Sequence, residues 1–97
     1  MSRGPVWGAE SDDLNATILA WSPGEGPGEH VNEHRDVVYA LFEGSATLTV
    51  EGESRELHAG EATIVEKGAR RGLVAGADGV RYLTVHLRRG GLELKRF

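Results

Sequence analysis

The chain lacks two features that would each point to a particular class of protein. It has no cysteine among its 97 residues, which excludes disulfides, thiolate metal sites and cysteine nucleophiles. It also has no excess of basic residues, because 11 Lys and Arg against 15 Asp and Glu give a net charge of −4. A general nucleic-acid-binding protein normally needs a basic face. We therefore expect no nucleic-acid partner.

Long apolar runs are missing as well. No stretch approaches the roughly 20 apolar residues of a membrane span, and residues 1–5 are not followed by the apolar run of a signal peptide. These absences predict a cytoplasmic protein with no membrane partner. We predict one domain over residues 1–97, with its core at about 14–88, because this length allows one modest core. Such a small domain leaves much surface uncovered, so we also expect a homodimer.

Glycine, in contrast, is abundant. Fourteen glycines indicate many tight turns, because glycine tolerates positive φ and weakens regular structure. The Pro- and Gly-rich segment 22–28 is predicted to be a loop inside the domain, and no segment shows a helical period of 3.6. Turns are expected at 43–44, 51–53, 59–61 and 78–79. Apolar or alternating segments predict strands at 14–21, 37–42, 46–51, 55–58, 62–65, 71–75, 80–87 and 92–95. Short strands between frequent turns are typical of an all-β sandwich or barrel.

The order of the glycines carries a resemblance to a known family. Gly24 is followed after five residues by His30, and this first motif closes at Gly44. A second motif begins at Gly60, continues after five residues with Glu-Lys-Gly at 66–68 and then Arg71, and ends at Ala75. This framework resembles the two motifs of the cupin family. The resemblance covers roughly residues 14–88 and implies a small jelly-roll barrel, also called a double-stranded β-helix.

The residues at the family's metal-binding positions depart from its pattern. In metal-binding cupins, two histidines and a glutamate of the first motif and a histidine of the second bind a divalent metal such as Fe(II), Mn(II), Ni(II) or Zn(II). These positions hold His30, Asn32, Val37 and Arg71 here. An arginine cannot donate a lone pair and repels a cation. The resemblance therefore implies the barrel without its regular metal site, and we expect no cofactor, with a divalent transition metal as the alternative.

That alternative needs a rearranged set of ligands, namely His30, His34, Asp36 and His86. Asp36 lies one residue before the family's glutamate position, so on a regular strand it would face the opposite side. A β-bulge would turn it inward. The sequence leaves both orientations open.

Polar residues near the same positions are candidates for holding a ligand. Arg71 would either fix a carboxylate or phosphate in a bidentate fork, or pair with Asp36, or extend from an exposed turn into water. His86 shares its parity with Tyr82, so both would contact a ligand if this face of the strand lines the cavity. If the leucine face fills the barrel, His86 points outward. The candidate ligand-binding residues are His30, Asn32, Tyr39, Arg71, Tyr82 and His86.

Three functions are compatible with these observations. The first is a binding module that holds a small polar or anionic molecule in a metal-free barrel. The second is a metal-dependent enzyme, an oxygenase or isomerase, built on the rearranged His and Asp set. The third is a non-catalytic dimeric interaction module whose interface includes Trp7 or Trp21. The sequence assigns no catalytic residue and leaves open whether the protein is an enzyme.

Overall fold

The computed structural model describes residues 3–88, which form an all-β architecture, as predicted. Residues 3–88 contain no helix that is long and apolar enough to cross a membrane. The predicted strand at 92–95 lies outside the described residues. The strands are β1 Pro5–Glu10, β2 Leu14–Trp21, β3 His30–Val31, β4 Val37–Val50, β5 Glu53–His58, β6 Ala62–Val65 and β7 Arg70–Leu87.

Two long strands, β4 and β7, build both layers of the fold. They pair antiparallel along most of their length, and each passes from one sheet into the other. Their first-sheet halves carry β2, then β1, beside β7 and carry β6 beside β4. Their second-sheet halves carry β3 beside β7 and β5 beside β4. The result is a jelly-roll barrel of two facing sheets, in agreement with the fold expected from the resemblance.

The predicted turns at 43–44 and 78–79 are bends within continuous strands, and the prediction of separate strands on either side was wrong. Gly44 has φ +75° and Gly79 has φ +80°, so the chain changes direction there without leaving the ladder. The register of β4 against β7 shifts around residues 41–46. A side chain at Gly44 would collide with the carbonyl oxygen of Gly79. The two glycines therefore let the long strands bend together.

The hydrophobic core lies between the two sheets. The first sheet contributes Tyr39, Leu41 and Tyr82, and the second contributes Leu48 and Leu73, all of them buried. These residues alternate with more exposed neighbours along β4 and β7, as expected of strands with one face on a core. The core thus fills the part of the barrel around its bends.

The predicted loop at 22–28 is a loop in the structure and lies along the edge of β7. Gly24 N donates to Ala75 O at 3.0 Å, and Ala75 N donates to Glu25 O at 2.8 Å. Gly26 passes so close to the Leu73 carbonyl that a Cβ atom would collide with it. This loop leads directly into β3, which the sequence did not predict because two residues show no periodicity. β1 was also missed, since all six of its residues are exposed and show no alternation.

Candidate functional site

Arg71 lies near the start of β7, at the rim of the barrel, and is only 1% exposed. Its Nε donates to Ala69 O at 2.9 Å, and its Nη2 donates to Glu66 O at 3.1 Å. Among residues 3–88 no carboxylate lies within ion-pair distance of the guanidinium. The neighbouring Arg70 is the exposed one of the two. Arg71 is therefore a buried cation that supports the turn at residues 66–69 from inside the barrel.

Two other predicted residues hold the loops of the rim together. Asn32 Oδ1 accepts hydrogen bonds from the amides of residues 34 and 35, at 3.1 and 3.2 Å. Its carbonyl accepts from Gly68 N at 2.8 Å. Asp36 is exposed, and its Oδ1 accepts from Lys67 N at 2.9 Å. The two residues thus join the loop before β4 to the loop before β7, and the Asp36 carboxylate faces Lys67.

The predicted metal ligands are not brought together. His30 is exposed, with Nδ1 at 3.1 Å from Gly28 O, and His86 Nδ1 lies 2.9 Å from Leu87 O. In the part of the chain that the structure describes, no three His, Cys, Asp or Glu side chains converge on a point that could hold a metal ion. The buried guanidinium of Arg71 adds a positive charge at the rim. The donor set present in residues 3–88 does not fit a divalent metal.

Burial decides which face of the last strand points inward. Val80 and Tyr82 are buried, with Tyr82 only 1% exposed, whereas Leu87 on the opposite parity is 50% exposed. The interior face is therefore the one that carries Tyr82 and the half-buried His86. Trp21 lies on the same face of the adjacent strand, opposite Val80.

The two tyrosines are packed into the core. The Tyr39 and Tyr82 rings stack with their centroids 5.9 Å apart, and Trp21 Nε1 donates to Tyr82 Oη at 3.2 Å. Burial raises the pKa of Tyr82 to about 12, because a phenolate is poorly solvated there. Tyr82 is thus held as a neutral phenol that accepts a hydrogen bond.

The largest of the described cavities opens where the two sheets separate. β5 and β6 both pair with β4 but not with each other in the described chain, and a cavity of about 530 Å³ lies between them. Glu53 and Arg55 belong to its wall, and within residues 3–88 neither makes an ion pair. The residues that point into it from the inner faces of the sheets are Leu48, Val50, Glu53, Arg55, Thr63 and Val65.

None of the six candidate ligand-binding residues lines this cavity. The nearest link is Arg71, which stands directly across from Val50 on the adjacent strand, so that both face the interior. Sequence reasoning missed Glu53 and Arg55, although the signal is present in the alternation of β5. Leu57 is buried, and residues two and four positions before it share its face.

The chain is similar to known proteins in its fold and in much of its sequence. The family model described as "Cupin domain" matches residues 17–86. The dimethylsulfoniopropionate lyase DddW of Ruegeria pomeroyi is 37% identical over 60 residues, which are 59% of this chain and 40% of that protein. The chain therefore spans about two-fifths of the length of this curated relative.

Two solved structures are similar over most of the chain. KdgF from Halomonas sp. has a TM-score of 0.79 and 26% identity, with 91% of this chain and 79% of that chain covered. TT1209 from Thermus thermophilus has a TM-score of 0.78 and 30% identity, with 92% and 84% covered. These similarities extend over both sheets of the barrel.

Proposed function

Because the chain belongs to the cupin family, we propose that it binds a small polar or anionic molecule in its barrel, without the regular metal site of that family. The observation that carries the proposal is the cavity between β5 and β6, whose wall includes Arg55 without an ion-pair partner in residues 3–88. Its volume of about 530 Å³ is within the range of roughly 300–1,000 Å³ for small-molecule sites. Leu48, Val50 and Val65 give it an apolar floor.

Arg55 is the part of the cavity wall that favours an anionic group, whereas Glu51 and Glu53 add carboxylates to the same wall. Within residues 3–88 Arg55 makes no ion pair, although its charge acts on the Glu61 carboxylate, and the buried Arg71 lies across from Val50, also without an ion pair. A cation in such a partly apolar site attracts a carboxylate or phosphate more strongly than the same cation in water. Glu53, two residues from Arg55 on the same face, would accept a hydrogen bond from a donor or cationic group elsewhere on the ligand.

The name of one relative supports a carboxylate as the anionic group. DddW is named as a lyase of dimethylsulfoniopropionate, and a propionate carries a carboxylate. A molecule with a carboxylate at one end and a cationic group at the other would match Arg55 and Glu53 together. We therefore propose small carboxylates as the ligand class and dimethylsulfoniopropionate as the first compound to test.

Isothermal titration calorimetry with dimethylsulfoniopropionate, propionate and inorganic phosphate tests this proposal. Arg55→Gln should weaken binding of the best ligand by about 10- to 100-fold, because a hydrogen bond to a charged group contributes about 1.5–3 kcal/mol. Arg70→Gln is the matched control, since Arg70 is exposed and lies 3.9 Å from Glu29, outside the cavity. It should bind like the unsubstituted chain.

Two outcomes would overturn the proposal. Equal loss of affinity in both variants would mean that the cations act only through the overall charge of the protein. Absence of heat with all three compounds at millimolar concentration would remove small carboxylates and phosphate as ligands.

Elemental analysis of the same samples tests the competing function. Near-stoichiometric transition metal that disappears in His30→Ala would support a rearranged metal site and a metal-dependent enzyme.

A further inference from the structure

The strand β5 lies at the edge of the second sheet, with β4 on one side and, among residues 3–88, no strand on the other. A two-residue turn at Glu51 and Gly52, both with positive φ, joins it to β4. Such a turn closes on a hydrogen-bonded pair, which here is Val50 and Glu53. Hydrogen-bonded and non-hydrogen-bonded pairs alternate along an antiparallel ladder, so every second residue after Glu53 also bonds to β4. The main-chain groups of the residues in between therefore point away from β4.

These outward main-chain groups belong to Ser54, Glu56 and His58. The His58 N–H is used within the chain, because it donates to Glu61 Oε1 at 2.7 Å. This hydrogen bond is the main reason that the pKa of the Glu61 carboxyl lies below its ordinary value. The N–H and C=O groups of Ser54 and Glu56 have no hydrogen-bond partner in the described chain. The edge of β5 therefore presents two donors and two acceptors to a further strand.

The cavity between β5 and β6 reaches this edge. Its wall includes Ser54 on the outer face of β5 and Ile64 on the outer face of β6, in addition to Arg55 and Val65 on the inner faces. Because residues of both faces border it, the cavity opens between the two strand edges as well as into the barrel. Its volume of about 530 Å³ falls in the range of roughly 300–1,000 Å³ for small ligands. This size suits a few extended residues and not a folded domain.

The side chains of β5 select the charges of an added strand. Every strand pair in residues 3–88 is antiparallel. In antiparallel addition, the residue between the two hydrogen-bonded positions stands opposite Arg55 and points into the cavity. Its partner-strand neighbours face Glu56 on the outer side and, one residue beyond Ser54, Glu53 on the inner side. A strand with an acidic residue at Arg55 and basic residues at the two glutamates is complementary at three positions. An apolar strand would leave the inward charges unpaired.

From these observations we infer that the edge of β5 binds an extended peptide segment by antiparallel strand addition, with a peptide side-chain carboxylate at Arg55. The main chain forms four hydrogen bonds with Ser54 and Glu56, and alternate side chains enter the cavity. The inference rests on the proposed function, since it keeps a carboxylate at Arg55 and adds the main chain that carries it. From N- to C-terminus the matching segment is Lys-Glu-Thr-Lys, whose residues face Glu56, Arg55, Ser54 and Glu53 in turn.

Nuclear magnetic resonance titration of the full chain with the capped peptide acetyl-Val-Lys-Glu-Thr-Lys-amide tests the inference. Hydrogen exchange at the Ser54 and Glu56 amides should slow about tenfold when about nine-tenths of the chain is bound, because only the free fraction then exchanges. The Arg55 amide already bonds to β4 and is the internal control. Methylation of the Thr amide nitrogen in the peptide should weaken binding at least about tenfold, since this amide donates to Ser54 O. Methylation of the Glu amide nitrogen, which points away from β5, should leave the affinity unchanged.

An exchange of charges tests the register of the added strand. Arg55→Glu should weaken binding of the Lys-Glu-Thr-Lys peptide about 3- to 30-fold, because it replaces an attractive cross-strand pair with a repulsive one. The same variant should bind a Lys-Lys-Thr-Lys peptide more tightly than the unsubstituted chain does, by a similar factor. Arg70→Glu is the matched control, since it makes the same change of charge at an exposed arginine outside the cavity. It should leave the preference between the two peptides unchanged.

The possible outcomes separate this inference from the proposed function. Equal effects of the two methylations would overturn pairing with β5. Slow exchange of the Ser54 and Glu56 amides before any peptide is added would mean that another part of the chain or a second copy occupies the edge, and would also overturn it. Propionate binding without peptide binding would refute the inference and leave the proposed function standing. Peptide binding with the expected methylation pattern, but without propionate binding, would support the inference and refute small carboxylates as the ligand class.

Discussion

Replacement of Gly44 by alanine should be among the most destabilising single-methyl additions in the chain. Gly44 combines a positive φ of 75° with a position where a Cβ atom would collide with the carbonyl oxygen of Gly79. The left-handed conformation costs a non-glycine residue about 1–2 kcal/mol, and overpacking adds about 1–3 kcal/mol. Alanine also lowers the entropy of the unfolded chain, which returns about 0.4–1 kcal/mol. We expect a net loss of about 3 kcal/mol.

Two other glycines separate these contributions. Gly52 has φ +84°, but no atom lies within 4 Å of the place that an added methyl group would occupy, so Gly52→Ala should lose only about 1 kcal/mol. Gly26 has no positive φ, but a Cβ atom there would collide with the carbonyl oxygen of Leu73. Gly26→Ala therefore measures the steric contribution alone, and we expect a loss of about 1–2 kcal/mol because its loop can shift.

Urea unfolding at one fixed protein concentration measures these losses, because the midpoint of any protein that self-associates depends on its concentration. With a slope of about 1–3 kcal/mol per molar urea, Gly44→Ala should lower the midpoint by about 1–3 M. Gly52→Ala should lower it about a third as far. A domain of this size has a stability of only about 5–15 kcal/mol, so the difference is easily measured. If Gly44→Ala and Gly52→Ala had equal midpoints, the argument that the two bent strands are locked together at Gly44 and Gly79 would be wrong.

Three further predictions concern the rim and the core. Asp36→Ala should speed hydrogen exchange at the Lys67 amide, which donates to Asp36 Oδ1, whereas Asp36→Asn keeps an acceptor and should leave it unchanged. Arg71→Met should destabilise the protein by about 2 kcal/mol and speed hydrogen exchange in the turn at 66–69. The reason is that the loss of two hydrogen bonds outweighs the gain from no longer burying a charge. Unchanged hydrogen exchange in this turn would refute the role assigned to Arg71. Burial raises the pKa of Tyr82 to about 12 in the folded state, above the value near 10 in the unfolded chain. The Tyr82 contribution to the free energy of unfolding should therefore be constant below pH 10. It should fall by about 2 kcal/mol as the pH rises from 10 to 12. Tyr82→Phe should remove most of that fall, as followed by chemical denaturation at each pH.

The alternation of the strands and the frequent turns were sufficient to predict an all-β sandwich or barrel, and the framework glycines carried the resemblance that implied the jelly-roll barrel. At position 44, for example, the backbone has a positive φ of 75°, which favours glycine. The continuity of β4 and β7 was not predictable, because a glycine that ends a strand and one that bends it look the same in the sequence. The pairing partner across the sheet decides between them.

The candidate site was harder to predict than the fold. Arg71 was a candidate because of its position in the second motif, but the sequence could not show that its hydrogen bonds go to the carbonyls of Glu66 and Ala69. Asp36 was ambiguous for the same reason, since its partner, the Lys67 amide, lies 31 residues away. Glu53 and Arg55 were overlooked because they match no motif. Their role as cavity residues follows from the separation of β5 and β6, which only the structure shows.

The guanidinium of Arg71 also has a consequence for how the protein depends on its surroundings. A bound ion that organises a loop is shared with the solution, so the loop is ordered only while the free ion is plentiful, and any stronger chelator can remove it. Arg71 is covalently attached, so no chelator can remove its guanidinium from the turn. The order that the two Arg71 hydrogen bonds give to the turn at residues 66–69 therefore does not depend on the concentration of a free ion. The support that Arg71 gives to the rim is part of the polypeptide itself, whereas the support from a bound ion would depend on the composition of the medium.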